Sequence, residues 1–318
     1  MQYRTLGQTG LRVSILSYGA SPLGGVFRDI DESAGVRAVQ VALDRGVNFL
    51  DCSPAYGDTR AETVLGRALR QVARDRYYLA TKVGAYGSGF DFSAARVTRS
   101  VEESMQRLGV DYIDVIQCHD IEYAEPTQIV EETLPALHAL KAAGKVGHVG
   151  ITGLPLTVLR RVLALAAPGQ VETILSFCRY ALNDDALRDL LPELRARGVG
   201  VINASATGMG LLTPRGAPDW HPAHATIQEG CRLAVAYCQE QGLDIVKLAL
   251  QFAVANPAIA TTLVGTANPE NMARNLDYIE EPLDTDALAA VHAVLQPIHR
   301  LAFTRGLPQN HDTQDIVA

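Results

Sequence analysis

Three short apolar runs in this chain of 318 residues stop at side chains that can handle protons. Asn48-Phe49-Leu50 runs into Asp51, with Tyr56 five residues further on in the loop Ser53-Pro54-Ala55-Tyr56-Gly57. Leu79-Ala80-Thr81 runs into Lys82, and Val115-Ile116-Gln117-Cys118 runs into His119 and Asp120. A free phenol has a pKa of about 10 and is a poor base at pH 7, so it exchanges protons with a substrate oxygen only if a neighbour tunes it. An ammonium about 4 Å away contributes roughly 4 kcal/mol at an effective dielectric of about 20, equivalent to about three pKa units before desolvation is set against it. On that arithmetic Lys82 lowers the pKa of Tyr56, Asp51 keeps Lys82 charged and oriented, and His119 hydrogen-bonds the same substrate oxygen. No nucleophile stands beside a base, and the clustered ligands of a catalytic metal are missing, so no metal is expected; His221 and His224 alone do not make a site. Such a set moves a proton. A redox reaction would also need a hydride carrier.

These groups meet only if their strands are neighbours running the same way. Residues 47–50, 77–81, 112–116, 146–151, 173–175, 199–202 and 261–264 are β-branched or aromatic runs too short for core helices, and they read as strands buried on both faces. Between them lie segments of helical period at 32–45, 61–70, 93–108, 127–143, 156–166, 184–197 and 269–279, most followed by a glycine. In 93–108, Val97, Val101, Met105 and Leu108 form one apolar stripe, with Ser93 as N-cap and Asp91 as a second acceptor. Repeated strand-helix units imply a parallel sheet. Their alternation over about 260 residues without a linker favours an α/β fold of the (β/α)8 TIM barrel type over an open doubly wound sheet. In a barrel the strand C-termini form the active face, where Asp51, Lys82 and His119 fall. Residues 1–13, with a turn at Gly7 to Gly10, are expected to cap one end as a hairpin. The division expected is a single barrel over 1–305 and a loose polar tail over 306–318.

Composition narrows the partners. The chain is 47% hydrophobic and 20% charged, with 28 basic against 35 acidic residues, and no basic block that would attract nucleic acid. No run approaches the roughly 20 apolar residues of a membrane span, and the polar start lacks a secretory pattern, so a cytoplasmic protein is expected. Five scattered cysteines read as reduced packing residues.

The stretch from Gly46 to Gly57 (GVNFLDCSPAYG), Ala80-Thr81-Lys82, and Asp111-Tyr112-Ile113-Asp114 ahead of His119 resemble the motifs of the aldo-keto reductases in order and spacing. The resemblance implies a catalytic tetrad of Asp51, Tyr56, Lys82 and His119, and a nicotinamide cofactor held across the barrel mouth without a Rossmann domain. The implied cofactor contacts are Ser21, Asp51, Thr152, Ser176, Ser205, Gly210, Gly265, Thr266, Asn271 and Asn275. Three positions depart from the wider pattern: Thr152-Gly153 replaces a Ser-Asn pair, Ser176 and Phe177 stand near a usual Gln, and Ala204 replaces an aromatic that stacks on the nicotinamide. The segments Gly19 to Gly24, Gly89 to Ser93, Cys118 to Glu122, Gly150 to Pro155 and Pro218-Asp219-Trp220-His221-Pro222 are similar to the aldose 1-dehydrogenase branch, whose members oxidise the C1 hydroxyl of sugars such as L-galactose or L-fucose to a lactone. Tyr56 is then the base, Tyr56 and His119 meet the substrate, and Trp220 and His221 either face the sugar or anchor their loop.

Residues 264–271 (VGTANPEN), after the last strand, contain no basic residue and one acid, where NADP-preferring members place Lys and Arg. A 2′-phosphate there would lack a charge-assisted partner, so NAD is expected ahead of NADP, with Arg274 one turn further on as the counter-argument. The alternatives are a general aldehyde reductase or pyridoxal-type dehydrogenase, and a cofactor-binding regulatory subunit like the potassium-channel β subunits. A small-molecule sugar substrate and a monomer or weak homo-oligomer are expected.

Overall fold

Runs too short and too β-branched for helices pair as strands throughout the chain. The computed structural model describes residues 1–312. Strands β1 (Tyr3–Thr5) and β2 (Arg12–Ser14) form an antiparallel hairpin. Then come β3 (Leu16–Gly19), β4 (Phe49–Asp51) and β5 (Tyr78–Val83), and a small hairpin of β6 (Ala85–Tyr86) and β7 (Gly89–Phe90). β8 (Ile113–Cys118), β9 (Val146–Gly153), β10 (Thr173–Phe177), β11 (Gly200–Ala204) and β12 (Thr261–Val264) follow. β3, β4, β5, β8, β9, β10, β11 and β12 pair in parallel and close into a barrel, the seam joining β12 to β3 with Thr262 opposite Leu16. This is the expected (β/α)8 barrel with an N-terminal hairpin.

The barrel strand missed from the sequence is β3, and the small β6–β7 hairpin was not read either. Leu16-Ser17-Tyr18-Gly19 offers four residues with Ser and Gly among them, a weak strand signal, and it is recruited because both neighbours bury it. Other strands run one or two residues beyond their apolar stretches, so Lys82 lies inside β5. The helix Ala94–Leu108 starts as expected: Ser93 Oγ accepts from the Arg96 N–H at 3.4 Å, Asp91 accepts from the Ser93 N–H at 2.9 Å, and Gly109 ends it at φ 70°. The segment 184–197 is instead a 3-10 turn, Ala186–Asp189, and a short helix, Leu191–Ala196, because Pro192 fits only a first helical turn. Helices Ala225–Glu240, Ile245–Ala255 and Thr285–Leu295 complete the outer layer and were not read from periodicity. All five cysteines are buried and unpaired. Among the described residues no helix is long and apolar enough to cross a membrane.

The hairpin closes the N-terminal end of the barrel. Leu6 is wholly buried against Gly200, and the Arg4 guanidinium donates to the carbonyls of Val254, Asn256 and Ile259 at 2.8 Å each. These carbonyls belong to the end of the helix Ile245–Ala255 and the turn after it, where acceptors have no intrahelical donor. At the opposite end, residues 306–312 are not loose. The Leu307 N–H donates to Glu122 O at 2.8 Å, the buried Asn310 amide donates to Glu122 O and Ala124 O, and Asp312 accepts from the Leu156 and Thr157 N–H groups at the start of the helix Leu156–Leu165. Their polar side chains satisfy orphan backbone groups, a use that composition does not reveal. The remainder of the expected tail, 313–318, lies outside the described residues.

Candidate active site

β4, β5 and β8 are consecutive around the barrel, and their register fixes the site: Asp51 lies opposite Ala80, and Lys82 opposite Gln117. Lys82 and Asp51 are each about 1% exposed or less and form a direct ion pair. The ammonium also donates to Cys52 O at 2.8 Å and to Tyr56 Oη at 3.2 Å, so all three of its protons are committed. The second Asp51 oxygen accepts from Gln117 Nε2 at 2.9 Å. Tyr56 Oη therefore accepts from Lys82, which leaves its own proton to point away from the pair. His119 follows β8, its N–H donating to Val83 O at 2.8 Å, and its ring stands edge-on to Tyr56 with centroids 5.5 Å apart.

The histidine's proton can be assigned from its partners. Ser53 Oγ accepts from the Ala55 N–H at 3.1 Å and lies 2.9 Å from His119 Nδ1. If the hydroxyl donates to Nδ1, both groups are satisfied and Nε2 carries the proton. Burial pushes the imidazole down to about 4, against the raising influence of Asp120, so His119 is neutral at pH 7. Burial would also lower Lys82, but Asp51 and then Tyr56 outweigh it and hold the ammonium above its ordinary value.

Tyr56 corrects the sequence arithmetic. Its pKa is pushed up to about 12, because burial outweighs the lowering influence of Lys82 and both Asp51 and Asp120 add to the rise. Lys82 does lower it, but desolvation, which the two-body arithmetic left aside, and the two carboxylates outweigh that lowering.

Backbone contact between two loops aims the phenol. A Cβ at Gly57, φ 62°, would lie 1.9 Å from Gly24 O, and one at Gly24 would lie 2.5 Å from Tyr56 O. The loops after β3 and β4 touch through these glycines, which fixes Tyr56 relative to β3.

A cleft of about 1420 Å³ opens over the strand ends and takes in all four tetrad residues. It exceeds the roughly 300–1,000 Å³ usual for a drug-sized ligand, which leaves room for a dinucleotide together with a small substrate. Of the expected cofactor contacts, Ser21, Asp51, Thr152, Ser205, Gly210, Gly265, Thr266, Asn271 and Asn275 line it. Ser176 does not: it is fully buried, its hydroxyl without a protein partner. The cleft floor at Gly265 admits no side chain, since a Cβ there would lie 2.8 Å from Gly19 O. Beyond it the helix Pro269–Glu280 begins, capped by Asn268 accepting from the Asn271 N–H at 2.7 Å. Neutral donors beside a helix N-terminus suit a pyrophosphate. Arg274, hydrogen-bonded to Asn271 at 3.3 Å, also lines the cleft, as does Asp244.

Trp220 lies half exposed at the cleft edge, its ring 5.7 Å from that of Phe27. His221 is buried outside the cleft lining: its Nε2–H donates to Gly208 O at 3.1 Å and its Nδ1 accepts from the Ala223 N–H at 3.0 Å. Of its two readings, the loop anchor is the one the geometry supports. His224 caps the helix Ala225–Glu240, and among the described residues no three His, Cys, Asp or Glu side chains gather where they could hold a metal ion. Gln117, Ser53, Gly24 and Gly57 were not assigned roles from the sequence. Gln117 carried a signal, as a polar residue inside an otherwise apolar strand.

The profile of the aldo/keto reductase family matches residues 15–296. The chain is 46% identical over 316 residues to L-galactose dehydrogenase of Arabidopsis thaliana, covering 98% of this chain and 99% of the relative. It is 30% identical over 282 residues to D-arabinose 1-dehydrogenase of Saccharomyces cerevisiae, covering 84% and 83%. An aldo-keto reductase from Bacillus halodurans, solved in its holo form, superposes with a TM-score of 0.78 at 26% identity, covering 98% of this chain and all of that one. With the barrel, the strand-end groups and these likenesses in agreement, the chain belongs to the aldo/keto reductase family.

Proposed function

We propose that the protein is an NAD-preferring aldose 1-dehydrogenase, oxidising the C1 hydroxyl of an L-galactose- or L-fucose-like sugar to the lactone. Aldo-keto reductases use nicotinamide cofactors. The observation that carries the reading is the commitment of all three Lys82 protons, one of them to Tyr56 Oη, in a cleft shared with His119. The C1 oxygen sits between Tyr56 Oη and His119 Nε2–H. Tyr56, as the phenolate, takes the hydroxyl proton; Lys82 stabilises that anion by the hydrogen bond it already makes; neutral His119 donates to the same oxygen and holds C1 in line. A bound oxidised nicotinamide would supply the acceptor for the hydride leaving C1. Because the Tyr56 phenol is held high, oxidation speeds up as pH rises, whereas reduction finds the acid form ready at neutral pH.

Ser21, Ser205, Gly210, Gly265, Thr266, Asn271 and Asn275 are the residues proposed to hold the dinucleotide, with Thr152 beside the carboxamide. The preference for NAD rests on the loop 264–271, which has no basic residue; Arg274 lines the cleft hydrogen-bonded to Asn271. A cytoplasmic monomer or weak homo-oligomer is the form we expect. The test is NADH formation with L-galactose, L-fucose, D-arabinose, L-glucose and pyridoxal. An aldose oxidised at least ten times more efficiently than pyridoxal, with activity abolished in Tyr56→Phe, supports the reading; a preference for pyridoxal, or activity undiminished in Tyr56→Phe, overturns it.

A further inference from the structure

We propose that Asp120 and Arg305 together form the subsite that grips the sugar hydroxyl next to the reacting carbon, and so decide which substrates are turned over; this rests on the aldose reading above. Asp120 is held in the left-handed region at φ 52°, a conformation that costs a residue with a side chain, and its N–H donates to Thr152 Oγ1 at 2.9 Å. The strained backbone brings Asp120 Oδ1 to 3.7 Å from His119 Nε2. The oxygens of a vicinal diol are spaced on this scale, so a substrate with one hydroxyl on His119 and Tyr56 brings the next one to Asp120.

The other carboxylate oxygen accepts from Arg305 Nη2 at 2.9 Å. Arg305 comes from the segment after the barrel, and its guanidinium carbon stands 5.6 Å from the ring centre of Tyr123 and 5.4 Å from that of Phe177. Two aromatic faces and a carboxylate thus hold one cation, and the bonds of Leu307, Asn310 and Asp312 anchor its segment. Asp120, Arg305 and Phe177 all line the cleft beside Tyr56 and His119.

The chemistry of the pair selects its ligand. It is neutral overall, so it gives no advantage to a carboxylate or phosphate substrate. A hydroxyl is both donor and acceptor: it can give its proton to Asp120 Oδ1 and accept from a remaining N–H of the arginine fork. A simple aldehyde or a 2-deoxy sugar leaves the pair without that partner, and sites built to hydrogen-bond a hydroxyl reject analogues lacking it strongly. Because Asp120 and Arg305 retain each other, we expect a discrimination of about 10²-fold, below the largest known.

The test compares kcat/KM for L-galactose and 2-deoxy-L-galactose, with NAD saturating, in the wild type, Asp120→Asn and Arg305→Met. The expected result is a wild-type preference of about 100-fold for the full sugar, falling below about tenfold in both variants, with NADH binding measured by fluorescence unchanged. A variant that binds NADH normally yet keeps the whole preference overturns the proposal, as does a wild type that oxidises both sugars equally well. Equal oxidation of the two sugars by the wild type overturns the proposal even where both variants fail to fold. A wild type inert toward both sugars and toward every other aldose overturns the aldose reading itself, and the subsite with it.

Discussion

Lys82→Met removes the ammonium while keeping much of the buried side-chain volume. At the observed 3.2 Å between Nζ and Tyr56 Oη, a unit charge stabilises the phenolate by about 5 kcal/mol at an effective dielectric of about 20. Lys82 is 1% exposed at its side chain, so solvent screening takes little from that figure. Five kcal/mol corresponds to between about 10³- and 10⁴-fold in rate. The partner carboxylate Asp51, wholly buried and stripped of its cation, takes up a proton, so the fold is spared an isolated internal charge. The assay is kcat for sugar oxidation at saturating NAD between pH 6 and pH 10, with NADH affinity measured separately by fluorescence. We expect a loss of about 10³-fold at pH 7 that persists to pH 10, because Tyr56 titrates at about 12, above that range, and higher still without the lowering influence of Lys82. A loss under about tenfold in a folded variant with normal NADH affinity, or a loss that disappears by pH 10, would refute the role given to Lys82.

His119 has a folded-state pKa of about 4 against roughly 6.5 unfolded, so between these values the unfolded chain binds a proton that the folded one does not, and stability is lost as pH falls from about 6.5 to 4, by about 3 kcal/mol in all. In denaturant titrations at pH 7 and pH 5, His119→Asn is expected to lose about 2 kcal/mol less on acidification than the wild type; an identical loss in both proteins refutes the assignment. Gly57→Ala places a Cβ where Gly24 O already lies and is expected to reduce kcat by about 10²-fold through displacement of Tyr56, whereas Gly10→Ala, equally positive in φ but in open space, lowers the melting temperature and leaves kcat unchanged. Equal kinetics in the two glycine variants would dissociate the loop contact from catalysis. Steady-state kinetics are expected to give a higher kcat/KM with NAD than with NADP, and Arg274→Ala to lower only the NADP value, by about tenfold; a wild type that favours NADP would refute the argument from the loop after β12.

The strand-end tetrad was legible because a barrel makes position along a strand equivalent to position at the rim, so residue type and location could be read together. The helix at 94–108 was legible because its cap, stripe and terminal glycine all agree. What the sequence concealed has a common physical origin, namely terms that depend on many bodies at once. The Tyr56 pKa needed the burial of the whole pocket. The strand β3 needed both of its neighbours. The placement of Arg305 needed the carbonyls of Glu122 and Ala124, about 185 residues earlier in the chain, as anchors for its segment. Trp220 and His221 are adjacent in sequence yet part ways, one at the cleft edge and the other locked beneath it, and no local pattern separates them.

The seam between β12 and β3 joins residues nearly the whole barrel apart in sequence, as Thr262 and Leu16 are. Pairings of such separation form late in folding, because the chain entropy of the intervening loop must be overcome before any contact rewards it. The close approach of Gly265 to Gly19, at the floor of the cleft, crosses that same seam. A chain arrested with seven strands associated would hold Asp51, Lys82 and His119 in register and still lack the floor on which the dinucleotide is proposed to rest. Acquisition of nucleotide affinity during refolding is then a clock for the last step of barrel closure rather than for assembly of the tetrad.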